Sequence, residues 1–414
     1  MSVIQFLSRL TGISLIVLAA ATVVRADTEL TLAEAERLTL DQAPWLQHHR
    51  TNAEAASERA VYESRLPDPQ LVMGMLNVPA DSLRLNREDM TMTMVGIRQA
   101  FPPGKTLRLR GERAEKQSDR EQWMLESEQR NLLRQARDTW FDIFLAKQSL
   151  RTIEETQRFQ QRQLAAIEGR YRAAAEMPQA VLKAREALAR LEERAQVEQA
   201  QIARQQAQLS RWIGDAAYRP LPTTLPTLPA PPTGFDVTQH PEWRAEQAAL
   251  DAAQLEVAMT REEYKPGVML DLSYGFRRAM PDGTERPDMV SAMVTLDLPV
   301  FRAKRQDRQL AEKQAMQSGM HYELEAKQRE LEATYRVARA DYDAAQTRVR
   351  LFEQKLLPAV RRQTRVTVAG FARDQTEYRE ATMRQLETEL DYARAQVDLA
   401  KAQATLQYLT GEKP

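Results

Sequence analysis

The chain has 414 residues, 58 basic and 58 acidic, and no cysteine. Balanced charge, with no concentrated basic field in either half, argues against nucleic acid as a partner. The missing cysteine excludes disulfides, thiolate metal sites, thiol nucleophiles and a lipidated N-terminal cysteine, while 28% charged beside 6% aromatic residues suits long solvated helices better than a thick core.

Met1–Ala26 reads as a secretory signal peptide: Arg9 supplies the positive end, Leu10–Val24 is mostly apolar, and Val24-Arg25-Ala26 offers a cleavage site. That apolar run is shorter than the roughly 20 residues a membrane span needs. Thr31–Leu66 follows as a single predicted helix, with Thr31 as N-cap and Glu34 three residues on, as in a capping box. Pro67 and Pro69 end it and open a hairpin over about 69–100. In that hairpin Leu71, Met73 and Met75 alternate with Val72 and Gly74, a polar tip spans Asn77–Asp89, and Met90, Met92 and Met94 alternate with threonines. Gly104-Lys105-Thr106 resembles the end of a phosphate-binding loop, but Gln99 stands where its first glycine belongs and Pro102-Pro103 intervene. It is expected to be a strand-to-helix turn.

From Lys105 to Glu168 there is no proline, so the chain predicts a helix roughly 90–100 Å long. Leu133, Ala136, Trp140, Ile143 and Leu150 mark its narrow apolar seam. A turn near Arg170–Pro178 leads into a helix with a seven-residue beat of Val181, Leu188, Ala195, Ile202 and Leu209, the spacing of an antiparallel coiled-coil pair. Six prolines within Pro220–Pro232 then read as an extended linker, taken to run over 220–239.

The remainder, 240–414, repeats the plan of 27–219. Glu242–Tyr264 is helical, a hairpin covers about 266–299, and Arg302–Leu357 is a long helix expected to be kinked or interrupted at Pro358. A turn near Val368–Thr376 precedes a last helix carrying Leu386, Leu390, Ala393, Val397, Ala400 and Ala404. In the hairpin Val268, Leu270, Leu272, Tyr274 and Phe276 oppose Met269, Asp271, Ser273 and Gly275. Val290, Ala292, Val294, Leu296 and Leu298 likewise alternate with Ser291, Met293, Thr295 and Asp297. Period-2 alternation gives each strand one wet and one apolar face, and about 9–11 residues is what a tilted strand needs to cross a bilayer. Ala43-Pro44-Trp45 answers His240-Pro241-Glu242-Trp243, and Arg211-Trp212-Ile213-Gly214 answers Tyr408-Leu409-Thr410-Gly411, so the chain is an internal duplication.

Four strands are too few to close a barrel, since bacterial membrane barrels start at about eight, and open strand edges cannot face lipid. Strands pooled from several chains would solve both problems. The mature chain resembles the TolC-like outer membrane factor family, on Leu298-Pro299-Val300-Phe301 with Lys304, Leu356-Leu357-Pro358, Val368-Ala369-Gly370-Phe371, and the helix-ending Gly214 and Gly411. The resemblance implies a mainly α protein with a membrane β-barrel: a duplicated protomer of two hairpins and long antiparallel coiled-coil helices, closed as a homotrimer in the outer membrane with its helical tunnel in the periplasm. It implies a non-enzymatic exit duct without cofactor, working with a periplasmic adaptor (membrane fusion) protein and an inner-membrane pump of the RND type. Pro220–Pro232 would form a belt outside the tunnel. Asn77-Val78-Pro79, Arg87-Glu88-Asp89-Met90-Thr91-Met92 and Gln99-Ala100-Phe101-Pro102 resemble the branch that serves heavy-metal efflux. Drug efflux and type I secretion are the alternative duties.

By resemblance, Ala174-Ala175 and Gly370-Phe371 occupy the adaptor-docking tips. The family's two aspartates beyond the second tip fall on Thr376 and Arg379, leaving Asp374, Glu377 and Glu380 to charge the periplasmic entrance. Against this stands an ordinary solvated helix face. Asp271, Ser273, Ser291, Thr295 and Asp297 are expected to face a wet lumen. Met73, Met75, Met90, Met92 and Met94 are weak candidates for soft cations, against a plainer role as apolar filler. His48-His49 point in different directions on a helix and read as solvated. A soluble periplasmic coiled-coil scaffold or adaptor is the rival class; the two-faced hairpins argue against a scaffold, and no β-rich lipoyl-like segment supports an adaptor.

Overall fold

The structure is a computed structural model that describes residues 29–232, 234–369 and 375–411. The expected first helix is two: α1 (Leu32–Gln42) and α2 (Pro44–Glu63). Pro44 forces Ala43 into an extended conformation (φ −63°, ψ 113°) and serves as the first residue of α2, its missing N–H costing nothing there. Thr31 caps α1 as expected, its Oγ1 accepting the Glu34 N–H at 3.2 Å.

Strands β1 (Gln70–Leu76) and β2 (Met92–Phe101) form the first hairpin. Then come α3 (Thr106–Arg172), 67 residues and so about 100 Å long, and α4 (Pro178–Ile213), packed against it. Along α4 the heptad residues Val181, Ala195 and Leu209 are buried and Leu188 and Ile202 half-buried, as the seam of an antiparallel pair requires. The second half supplies α5 (Pro241–Glu262), β3 (Gly267–Phe276), β4 (Met289–Asp297), α6 (Gln306–Leu351), α7 (Leu357–Ala369) and α8 (Gln375–Thr410). A single π-turn, Phe352–Leu356, joins α6 to α7. Pro358 cannot donate a helical hydrogen bond, and the backbone accommodates it by one wider turn in which the Leu357 N–H reaches the Phe352 carbonyl. Pro358 therefore widens the helix path rather than ending it.

The principal core lies where the two halves meet. Trp140, Phe141, Ile143 and Phe144 of α3 pack with Leu30, Leu46, Leu209, Ile213, Val397 and Ala400. The Trp140 Nε1–H donates to the Leu30 carbonyl at 3.0 Å, and buried Arg137 pairs with Glu36 at 2.6 Å while donating to Gln407 Oε1 at 2.8 Å. The proline-rich segment is a strap on this core. Leu221 is buried within it, and Leu225 and Leu228 pack against it. The Pro220 carbonyl accepts from Leu30 N at 2.7 Å, and those of Leu228 and Pro229 accept from Gln403 and Gln407 of α8. An extended proline chain exposes every carbonyl to such donors. Farther along α3, Arg113 bridges Glu63 of α2 at 2.9 Å and Glu256 of α5 at 3.4 Å.

Candidate functional site

The four strands form one antiparallel sheet in the order β1-β2-β3-β4. The two hairpins meet along β2 and β3, with Thr93 opposite Phe276 and Phe101 opposite Val268. β1 and β4 are the edges, without a further strand among the described residues.

Register sorts the side chains. One face carries Leu71, Met73 and Met75, then Val95 and Ile97, then Val268, Leu270, Leu272, Tyr274 and Phe276, and finally Val290, Val294 and Leu296. These are exposed almost throughout: Met73 at 73%, Leu272 at 55%, Val294 at 61%. A water-soluble sheet hides such a face; here it is the outermost surface. The other face brings together all five residues expected to be wet. Asp271 stands two positions from Ser273, Ser273 is paired with Ser291, and Thr295 and Asp297 continue along β4. Arg98 lies opposite Asp271 across the β2–β3 ladder, its Nε 2.5 Å from Oδ1, so the ion pair links the two halves.

The methionine candidates divide. Met73 and Met75 belong to the apolar face, Met92 and Met94 to the polar face, and Met90 to the hairpin tip. At that tip Arg286, buried, donates to the carbonyls of Arg278, Leu85, Glu88 and Asp89, and Arg277 also reaches Asp89. One guanidinium thus fastens the loop of the first hairpin to that of the second.

At the opposite end α3 closes in a Schellman motif. The Ala175 N–H donates to the Arg170 carbonyl at 2.8 Å and Ala174 N–H to Tyr171 at 3.0 Å. Ala174 takes the left-handed conformation (φ +55°) that a glycine usually fills. Ala174 and Ala175 are both exposed. Of the residues expected at the second tip, Gly370, Phe371 and Asp374 lie outside the described residues. Glu377 and Glu380 are exposed in the first turns of α8, three positions apart and so on one face. His48 and His49, expected to point apart, instead converge on Trp45 of α2: exposed His48 stacks on its ring and half-buried His49 meets it edge-on, the two imidazoles 5.6 Å apart. Gly104 and Lys105 make the strand-to-helix turn into α3, with Glu262 of α5 accepting the Lys105 N–H at 2.8 Å.

Three features escape the sequence pattern: the Arg98–Asp271 pair, the Arg286 fastening, and a polar node between α3, α5, α6 and α8. In that node Glu242 accepts from Tyr408 at 2.7 Å, Lys327 at 3.1 Å and Ser127 at 3.5 Å. Burial works to raise the Glu242 carboxyl, but the hydrogen bonds from Tyr408 and Lys327 outweigh it and hold it below the usual range. Burial and the Glu242 carboxylate push the Tyr408 phenol up. His240 is almost wholly buried beside them, accepts the Glu242 N–H at Nδ1, and is pushed down by that burial to about 4. His240-Pro241-Glu242 and Tyr408 stand out in the sequence as landmarks of the duplication; that they touch is a property of the fold. Among the described residues no three of His, Asp and Glu gather as a metal centre, and no helix is long and apolar enough to cross a membrane.

Residues 237–412 match the family model "Outer membrane efflux protein". No curated protein sequence matches the chain. Among solved structures it is similar to CusC, from work on conformational changes accompanying folding and transmembrane channel formation, with a TM-score of 0.78, 16% identity, and 92% of each chain covered. It is similar to the open state of the Neisseria gonorrhoeae MtrE outer membrane channel, with a TM-score of 0.76, 14% identity, and coverage of 92% of this chain and 88% of that one. The outer membrane protein VceC of Vibrio cholerae gives 0.74 and 14%, over 92% and 96%. At these identities the likeness establishes the fold, the duplicated TolC-like protomer of long helices and one four-stranded antiparallel sheet.

Proposed function

We propose that the whole chain is an outer membrane efflux duct that closes its barrel by joining the sheets of three copies. One observation carries this reading: a sheet with two open edges wears its apolar side chains outward and its polar ones on the other face. In lipid an unpaired strand edge costs several kcal/mol per backbone group, so β4 of one copy must meet β1 of the next. Three copies contribute twelve strands, enough for an aqueous bore where four are not. The polar face, with Asp271, Ser273, Ser291, Thr295 and Asp297, then lines that bore, and α3–α4 with α6–α8 extend it into the periplasm. The match of residues 237–412 to the efflux family supports the assignment.

In this reading the duct is passive. An inner-membrane pump of the RND type supplies the drive, and a periplasmic adaptor docks on the helical tips at Ala174-Ala175 and Gly370-Phe371. Asp374, Glu377 and Glu380, repeated three times, put negative charge at the entrance, which favours cations in a narrow pore. The resemblance of the first hairpin to the heavy-metal branch points to metal cations as cargo.

The test is direct. The protein extracted in detergent should run as a trimer and give discrete conductance steps in a planar bilayer. A monomer that leaves with the water-soluble periplasmic fraction, with no affinity for lipid, would sink the reading.

A further inference from the structure

The two halves leave the sheet alike. Phe101 ends β2 and Phe301 follows β4, and in each case cations stand four and seven residues on: Lys105 and Arg108, then Arg305 and Arg308. Phe101 lies opposite Val268, which lies opposite Leu296, so both turns depart from the same rim of the sheet, the one where α3 and α6 begin. All six of these side chains are exposed, and Phe301, at 79%, more than any other large apolar residue among those described. Leu298 and Val300, also exposed, extend the apolar surface past the end of β4.

The charge of this rim is one-sided. Within 101–108 there are two cations and no acid. Within 301–308 Arg302, Lys304, Arg305 and Arg308 stand against Asp307 alone, and its carboxylate already accepts the Tyr264 hydroxyl at 2.5 Å. Arg302 is held in the turn, its Nε donating to the Pro299 carbonyl at 3.1 Å and its guanidinium lying over the Tyr264 ring. Arg108 leans on Glu112 at 3.2 Å, whereas Lys304, Arg305 and Arg308 make no ion pair among the described residues. Cations at the first turn of a helix oppose its macrodipole, so α6 itself does not account for them.

We propose that this rim is a docking surface for the phosphate headgroups of anionic phospholipids, with Phe101 and Phe301 at the acyl boundary and Lys105, Arg108, Arg305 and Arg308 among the phosphates. This rests on the duct reading above, which turns the apolar face toward lipid and puts the rim at the periplasmic leaflet. An aliphatic band, then aromatic rings, then cations is the order in which a bilayer presents acyl chain, boundary and headgroup. Long basic side chains lay their stems along the apolar edge and their charge at the phosphates. Clustered Lys and Arg beside a membrane segment select anionic over zwitterionic lipid.

The experiment uses the purified protein reconstituted in phosphatidylcholine vesicles, with spin-labelled phosphatidylglycerol or spin-labelled phosphatidylcholine as the probe. Electron spin resonance reads the fraction of each probe immobilised at the protein surface. The parent should favour the phosphatidylglycerol probe roughly two- to fivefold, less so in about 0.5 M salt. The variant Lys105→Gln, Arg108→Gln, Arg305→Gln, Arg308→Gln should bring the two probes near parity, and Arg305→Lys with Arg308→Lys, which keeps the charge, should retain the preference. Arg84→Gln with Arg278→Gln, exposed at the far hairpin tips, should leave it unchanged. Inorganic phosphate at matched ionic strength should not erase it. Equal immobilisation of both probes by the parent, a preference kept by the quadruple variant, or one erased by phosphate overturns the surface. So does loss of the parent's oligomeric state in that variant on a native gel, the result expected if the next copy covers the rim. A protein that immobilises neither probe counts against the duct itself, and the surface falls with it.

Discussion

Ala174 shows how a single side chain shapes a helix end. Alanine in the left-handed region carries a steric cost of roughly 1 kcal/mol that glycine escapes, so Ala174→Gly should slow amide exchange over residues 173–178 by a corresponding few-fold. Gly104 presents the reverse case. Its φ is +53°, and a Cβ there would fall 1.8 Å from Glu262 Oε2, the group that holds the start of α3. Gly104→Ala should cost on the order of 1–3 kcal/mol, read as a lower melting temperature. His240 makes stability depend on acidity. In the unfolded chain it takes up a proton near 6.5, whereas in the fold it stays neutral down to about 4. Between those values the unfolded chain binds more protons, so stability is full above the upper one and falls as pH drops through the window. The loss over the whole window is on the order of 3 kcal/mol. Protonation would also turn Nδ1 from an acceptor of the Glu242 N–H into a donor, while Glu126, Glu242, Arg130 and Lys327 set the surrounding field. His240→Asn keeps a capping acceptor without titrating. Its melting temperature should vary less between pH 7 and pH 4 than that of the parent.

Elements were legible in the chain to the degree that their cause is local. The helix seams, the N-cap at Thr31 and the alternating strands follow from period and from residue type, and they fall where expected, whereas the Glu34 carboxylate, expected to close a capping box, pairs instead with Arg219. Pro44 illustrates the opposite case: proline inside an apolar-periodic run is compatible both with a continuing start and with a break, and the choice rests on how α1 packs against α3. The effect of Pro358 is similar. Pattern announces a disturbance there, while the form it takes, a π-turn at Phe352–Leu356 with Phe352 beside Tyr392, whose hydroxyl donates to Glu353 at 2.8 Å, is a property of the fold. Tyr392→Phe removes that tie without emptying the space, and should raise amide exchange over 352–358 while leaving α3 and α4 unaffected. The hairpin tips depend on Arg286 in the same non-local way, since its four carbonyl partners come from both loops. Arg286→Ala leaves those acceptors without their donor. It should speed proteolytic cutting within 77–91 and 277–288 several-fold while the strands stay paired.

On the scale of the whole molecule, the duplication and the two-faced hairpins could be read before any fold was known, because repeats and alternation are written in residue order. The wet set Asp271, Ser273, Ser291, Thr295 and Asp297 came from that alternation alone. What residue order does not carry is which strand neighbours which. The Arg98–Asp271 pair and the cap that Glu262 lends to α3 both depend on the second half lying beside the first, joining residues 173 and 157 positions apart. The same adjacency has an outcome for the chain as a covalent object. Each repeat leans on the other through a ladder of backbone pairs, a shared core and a borrowed helix cap, while the peptide connection between them is a proline strap laid over that core, with Thr227 exposed on it. Nothing in those contacts asks the two repeats to belong to one polypeptide. Severed at Thr227 and produced together in one cell, they should find each other again as complementary fragments.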